Sequence, residues 1–290
     1  MKIAICISGQ IRTGITCAPN ILRYIGDLLP NCDFFIHTWD IESQSNYNNN
    51  SHIIPVQTPY KLKDKKIFSD FYACYNPISM TVEPYFLSKP KGDKWASFRI
   101  NPKTGRNGFA MFDSIYEANQ LKKYHEDLHN FKYTYVVRTR PDLIFRADKS
   151  LREDINLIEH DRMFITANHL GMWDDRHLED IFWIGNSYVI DQLCDFRNVR
   201  ENSMFEGHPH DQGFQDWNTH QARWVLQGLG FKYKSCFNNN MRIYYRIDEQ
   251  NGMDVMNPPF GPGPRFGGRP EEFIPGYAAH FYDPNQHVII

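Results

Sequence analysis

Two arginines and a carboxylate stand at alternate positions in the stretch Tyr133-Thr-Tyr-Val-Val-Arg-Thr-Arg-Pro-Asp-Leu-Ile-Phe145. Extended backbone turns every second side chain to one face, so an extended chain groups Arg138, Arg140 and Asp142. Such a group either receives an anion such as a phosphate or staples a loop as an ordinary ion pair. The residues before it, Tyr133 to Val137, are aromatic, β-branched and uncharged, which predicts a buried strand. Pro141 has no N–H to donate and keeps Arg140 out of the helical region, so the regular strand is expected to end there. Ligands of open α/β sheets collect at the carboxyl ends of strands, and charged groups placed there line a crevice.

Two further strand ends carry polar groups. Lys2 to Ile7 is a short apolar run that stops at Ser8-Gly-Gln-Ile-Arg-Thr-Gly14. A strand entering a glycine-containing turn can present backbone N–H groups and the Arg12 cation to a phosphate, or it can be a plain turn. Ser8, Gly9, Gln10 and Arg12 are the candidates. The P-loop spacing and the third glycine of a dinucleotide fingerprint are both missing. Cys32 to Ile36 reads as the second strand, ending in His37-Thr-Trp-Asp40. Asp40 either accepts hydrogen bonds from a ribose or caps a turn.

The elements between these ends predict how they meet. Ala18 to Leu29 has one apolar face, built from Ile21, Leu22, Ile25, Leu28 and Leu29, and is closed by Pro30-Asn31. Strand, helix and strand of this length form a βαβ unit, so the first two strands are parallel neighbours. Residues 41–105 are the least regular, apart from a short helix over Ile67 to Tyr75. Phe109 to Glu126 is a helix leading into the arginine-bearing strand. Further strands are expected at Met163 to Ala167, Leu178 to Gly185 and from Phe231, with helices over Ser187 to Arg197 and from Asp211 to Leu226. The Pro/Gly-rich stretch 257–275 is expected to form a loop or lid. The sum is one α/β domain over residues 1–290 with loop insertions, its mixed, mostly parallel sheet flanked by helices.

Composition narrows the function. The chain has 290 residues, 41% hydrophobic and 15% aromatic, with a net charge of −2. That balance is ample for a core and argues against a general nucleic-acid binder, which carries a basic stripe. The opening apolar run is too short for a signal peptide, and no stretch reaches the roughly 18–20 apolar residues of a membrane span. Six scattered cysteines without a Cys-x-x-Cys pair read as reduced thiols in a cytoplasmic protein.

Ile7-Ser-Gly-Gln-Ile-Arg-Thr13, Phe34-Phe-Ile-His-Thr-Trp-Asp40 and Val136-Val-Arg-Thr-Arg-Pro-Asp-Leu-Ile-Phe145 occur in that order. Together, over about residues 1–245, they resemble small bacterial and viral glycosyltransferases with a GT-A-type nucleotide-diphospho-sugar fold. The resemblance implies a UDP- or GDP-sugar donor and a glycan hydroxyl acceptor. It also implies an Asp-x-Asp motif holding Mn²⁺ or Mg²⁺ against the donor diphosphate. Asp142 resembles the last acid of that motif, while Arg140 stands where the first would be. Either Asp142 holds the metal, with His280 as the late-chain ligand such enzymes often supply, or Arg138 and Arg140 neutralise the diphosphate themselves. By the same resemblance, Asp180 lies near the donor sugar. Asp211 then takes the acceptor's proton in an inverting transfer, unless it is only a helix cap.

Two rivals come from other classes. His208-Pro-His210-Asp211 has a His-x-His spacing that suits zinc in a metal-dependent hydrolase, although no second ligand pair stands nearby. A non-catalytic glycan- or nucleotide-binding module would instead stack sugars on Trp39, Trp95, Trp173 and Trp217.

Overall fold

Hydrophobic runs too continuous for a half-exposed sheet dictate a doubly covered one. The computed structural model describes residues 1–12, 14–42, 60–61, 65–84, 105–145, 148–167, 182–195, 230–236 and 241–243. In chain order these form β1 (Ile3–Ser8), α1 (Gly14–Ile25), a 3₁₀ turn over Gly26–Asn31, and β2 (Cys32–Trp39). Next come β3 (Ile41–Glu42), β4 (Tyr60–Lys61), α2 (Lys66–Tyr75), β5 (Ser79–Glu83), α3 (Gly105–His129) and β6 (Tyr135–Thr139). The chain goes on through β7 (Leu143–Phe145), α4 (Leu151–Ile155), β8 (Met163–Ala167) and β9 (Phe182–Gly185). Last are α5 (Ser187–Cys194), β10 (Lys232–Cys236) and β11 (Met241–Ile243).

Seven strands make one sheet in the order β10-β8-β9-β6-β1-β2-β5. β9 runs antiparallel to both its neighbours, and the remaining pairs are parallel. The expected α/β architecture is therefore present, with β1 and β2 as parallel neighbours in the register Ser8↔His37. Alternation along β1 sends Ile3, Ile5 and Ile7 into a core with α1, α2 and α4. Ala4 and Cys6 go into a second core with α3 and α5. From β1 the chain steps outward through β2 to β5, then returns to lay β6 on the other side of β1. The sheet thus changes direction between β1 and β6, the place where open α/β sheets leave a crevice.

Three expectations are corrected here. The segment read as irregular, 41–105, contains β5, which pairs with β2 from Phe35↔Ser79 to Trp39↔Glu83 and forms the sheet edge. The helix begins four residues earlier than its apolar face implies, and Leu29, placed on that face, is exposed in the 3₁₀ turn. Trp39 is no loop platform for a sugar: it ends β2, is 2% exposed, and stands edge-on to His37 at 4.9 Å. Trp95, Trp173 and Trp217 lie outside the described residues, as does the 257–275 stretch. Among the described residues, no helix is long and apolar enough to cross a membrane.

Candidate functional site

The turn after β1 is built from unusual backbone. Gly9 has φ +124° and donates its N–H to the carbonyl of His37 at 3.2 Å, tying the turn to β2. That N–H is engaged by the sheet. Arg12 follows with φ +45°, a left-handed conformation that costs a residue with a side chain on the order of 1 kcal/mol. Gly14 N–H donates to Ile11 carbonyl at 2.6 Å and opens α1. A Cβ at Gly14 would stand 2.9 Å from Pro141 Cβ and 2.9 Å from Phe71 Cε2, so only glycine lets this turn press against the one after β6.

β6 ends at Thr139, as Pro141 predicts, and Arg140-Pro141-Asp142 turns into β7. β7 is held from α1: Asn20 accepts from Phe145 N–H at 2.6 Å and donates to Phe145 carbonyl at 3.0 Å. Arg23 donates to the same carbonyl at 3.0 Å, and Tyr24 stacks on the Phe145 ring with centroids 3.9 Å apart. Asn20 and Arg23 escaped the sequence reading. An amide and a cation on the polar side of an amphipathic helix carry no signal of a strand some 125 residues away.

With both turns fixed, Asp142 becomes the centre of an ion cluster. Arg140 donates Nε–H to Oδ1 and Nη2–H to Oδ2, each at 2.8 Å, a bidentate fork. Arg12 Nη1–H reaches Oδ2 at 3.2 Å, and its Nε–H donates to Gln10 Oε1 at 3.3 Å. The Asp142 side chain is 1% exposed, whereas those of Arg12 and Arg140 are 25% and 19% exposed. Burial pushes the Asp142 carboxyl up, but the Arg140 and Arg12 guanidiniums outweigh it and hold it below the usual carboxylate range.

Arg138 departs from this group. It is 1% exposed, donates Nε–H to Ser8 Oγ at 3.3 Å, and lies 5.1 Å from the Trp183 ring centroid. Its strand alternation aims it at the core shared with α3 and α5, so it forms an inner wall rather than the rim. Asp40 stands one strand over from β1, just past the end of β2, with its N–H donated to Glu83 carbonyl at 3.0 Å. The structure therefore joins Ser8 to Arg138, and Gln10 to Arg12, Asp142 and Arg140, around the carboxyl ends of the neighbouring strands β1 and β6. Asp180, His208, His210, Asp211 and His280 lie outside the described residues.

The described residues do not fit a divalent cation at Asp142. A hard cation needs several oxygen ligands. Both oxygens of this carboxylate are engaged by guanidiniums, and a cation approaching from solvent meets positive charge first. Among the described residues, no three His, Cys, Asp or Glu side chains are grouped to hold a metal.

No protein-family model matches the chain, and no curated protein does. Solved structures do. One is a galactosyltransferase, LgtC, in complex with donor and acceptor sugar analogues, at 12% identity and TM-score 0.37. That match covers 80% of this chain and 73% of the other. An active-site mutant of the same enzyme matches at 11% identity and TM-score 0.38, over 80% of this chain and 72% of the other. A glycosyltransferase involved in the glycosylation of the major capsid of PBCV-1 matches at 9% identity and TM-score 0.35, covering 81% and 82%. Likeness of this degree assigns neither activity nor substrate.

Proposed function

We propose that the chain is a glycosyltransferase, GT-A-like in fold, moving a sugar from a UDP- or GDP-linked donor to a glycan hydroxyl. One observation carries this reading: Arg12 and Arg140 converge on one buried carboxylate at the sheet's switch point, and each side chain keeps part of its surface in solvent. A diphosphate is the ligand whose charge and fork geometry answer to paired guanidiniums.

In the proposed reaction the acceptor oxygen bonds to the anomeric carbon as the bond from that carbon to the β-phosphate oxygen breaks. The electron pair leaves with the nucleoside diphosphate, and the acceptor's proton passes to a carboxylate. Asp211 is the candidate for that proton in an inverting transfer, with Asp180 beside the donor sugar. Asp40 accepts from the ribose, and Ser8 with Arg138 backs the turn that carries Gln10 and Arg12. Charge developing on the leaving diphosphate is met by groups already oriented, which is where enzymes gain most electrostatic stabilisation.

A thermal-shift panel of UDP-, GDP-, CMP- and dTDP-sugars tests this. The true donor at about 100 times its Kd adds roughly 2.7 kcal/mol to stability and stands out from the rest. A panel with no shift, and no nucleoside diphosphate released in the presence of glycan acceptors, would sink the assignment.

A further inference from the structure

We propose that Arg12 and Arg140 grip the donor diphosphate without a divalent cation, and that Asp142 is the positioning residue for both guanidiniums. This inference rests on the donor reading above and deepens it. Three hydrogen bonds fix the arrangement: two from Arg140 at 2.8 Å and one from Arg12 at 3.2 Å. Those bonds fill three of the carboxylate's roughly four lone-pair sites, so Asp142 has at most one left for a metal, and the cation would sit against two guanidiniums. One carboxylate site is far short of the several oxygen ligands a hard cation needs.

The converse arrangement is what an anion needs. A guanidinium carries five N–H donors. Asp142 takes two of Arg140's and one of Arg12's, and so orients both guanidiniums. Like charges side by side repel, and the carboxylate between them cancels that repulsion. Asp142 accordingly faces inward, at 1% exposure, while both arginine side chains keep part of their surface in solvent. The left-handed backbone of Arg12 and the glycine contact to Pro141 bring the two arginines to this one acid.

The arrangement makes a prediction opposite in sign to bulk electrostatics. Replacing Asp142 by asparagine adds net positive charge, which on charge alone strengthens anion binding. A positioning role requires that Asp142→Asn weaken it. The test is calorimetric titration of UDP, GDP and inorganic pyrophosphate into the full chain, in EDTA and in Mn²⁺, with circular dichroism to check the fold of each variant.

At least one nucleoside diphosphate is expected to bind equally, within about twofold, in the two conditions. Arg12→Ala and Arg140→Ala are expected to weaken it by about tenfold or more. Arg140→Lys, which keeps the charge and loses the fork, weakens it by a similar factor and serves if the alanine variant does not fold. Asp142→Asn weakens pyrophosphate binding severalfold in EDTA. Binding that appears only with Mn²⁺ and vanishes in Asp142→Asn overturns the inference and leaves the donor reading standing. Unchanged or tighter pyrophosphate binding by Asp142→Asn overturns the positioning role. Arginine variants that bind like the parent in EDTA overturn the grip itself. If none of the three ligands binds under either condition, the donor reading falls as well.

Discussion

Two clusters among the described residues bury a carboxylate among cations, and they differ in whether a cation is sealed in with it. Between α3 and α5, Lys122 donates to Glu126 Oε2 at 3.0 Å, Ser187 Oγ at 2.7 Å and Asp191 Oδ1 at 2.7 Å. Glu126 Oε1 in turn accepts from Tyr133 N–H at 3.0 Å and Ser187 O–H at 2.8 Å, while Lys132 reaches Oε2 at 2.9 Å. Lys122 and Glu126 are both 0% exposed, so all three ammonium hydrogens are consumed inside the protein. The cluster's second lysine, Lys132, lies at the surface, 60% exposed. Around Asp142 the carboxylate is just as buried, yet both arginines that hold it are part-exposed. A sealed network specifies how two helices meet; an open one holds cations ready for something that arrives from outside.

The difference is broken most directly by removing one cation from each. Lys122→Met leaves Asp191 and Glu126 without their shared partner. It should cost about 3 kcal/mol in urea unfolding, near the low end for a broken buried pair because other donors remain. Arg140→Ala should cost less stability, about 1–2 kcal/mol, since Arg12 keeps its hold on Asp142. It should instead abolish sugar transfer and weaken nucleoside diphosphate binding. A Lys122 variant with lost transfer but intact stability, or an Arg140 variant with the reverse, would show that openness does not separate site from scaffold.

Much of this contrast was legible in the sequence on one side only. Strands buried on both faces, such as Ile3–Ser8 and Met163–Ala167, announce themselves as apolar runs, and both were located to within a residue or so. The end of β6 followed from one proline. β5 was missed because Ser79-Met-Thr-Val-Glu83 is a half-exposed edge without an apolar run, and β2 decides its membership. At the site, the residue types and strand ends were readable, but alternation does not reveal that Arg138 turns inward while Arg140 and Asp142 pair. That outcome depends on Arg12 arriving from 130 residues away on a left-handed backbone. Nor does the sequence distinguish Lys122 and Glu126 from any i, i+4 pair on a solvated helix face.

A smaller effect sharpens the comparison by moving the open cluster without touching its charges. Gly14→Ala places a methyl carbon 2.9 Å from Pro141 Cβ, one residue before Asp142. The resulting overpacking should cost about 1–3 kcal/mol and displace the turn that carries Arg140 and Asp142. Transfer should therefore fall more than stability does, as seen by comparing kcat/KM with the urea midpoint. Acid acts on both clusters alike. Burial raises the Glu126 carboxyl, but the Tyr133 N–H and its lysine partners bring it below the ordinary range, as the arginines do for Asp142. Carboxyls lowered in the folded state contribute stability above the unfolded value, about pH 4, and lose it as pH falls through the folded value. Salt should separate the two, screening diphosphate binding at the part-exposed arginines while leaving the buried contacts of Lys122 unchanged.

The smallest predicted effect comes from a third buried acid, one with no cation hydrogen-bonded to its carboxylate among the described residues. Asp154 is 4% exposed and accepts the Tyr24 hydroxyl at Oδ2. Burial pushes its carboxyl up, and the Tyr24 hydrogen bond and Lys149 only partly oppose this. The sign is therefore opposite to that of Asp142. A raised carboxyl contributes stability that is complete below the ordinary range and is lost as pH rises through the folded value. Above its folded value the ionised group is buried with the neutral Tyr24 hydroxyl as its hydrogen-bond partner, and Asp154→Asn keeps an acceptor for Tyr24 without the charge. It should stabilise the chain by up to about 1 kcal/mol at pH 7, with the gain disappearing near pH 4. Asp142→Asn should destabilise at pH 7 in the same unfolding assay. If the two substitutions moved stability in the same direction, the guanidiniums would not be what distinguishes one buried aspartate from the other.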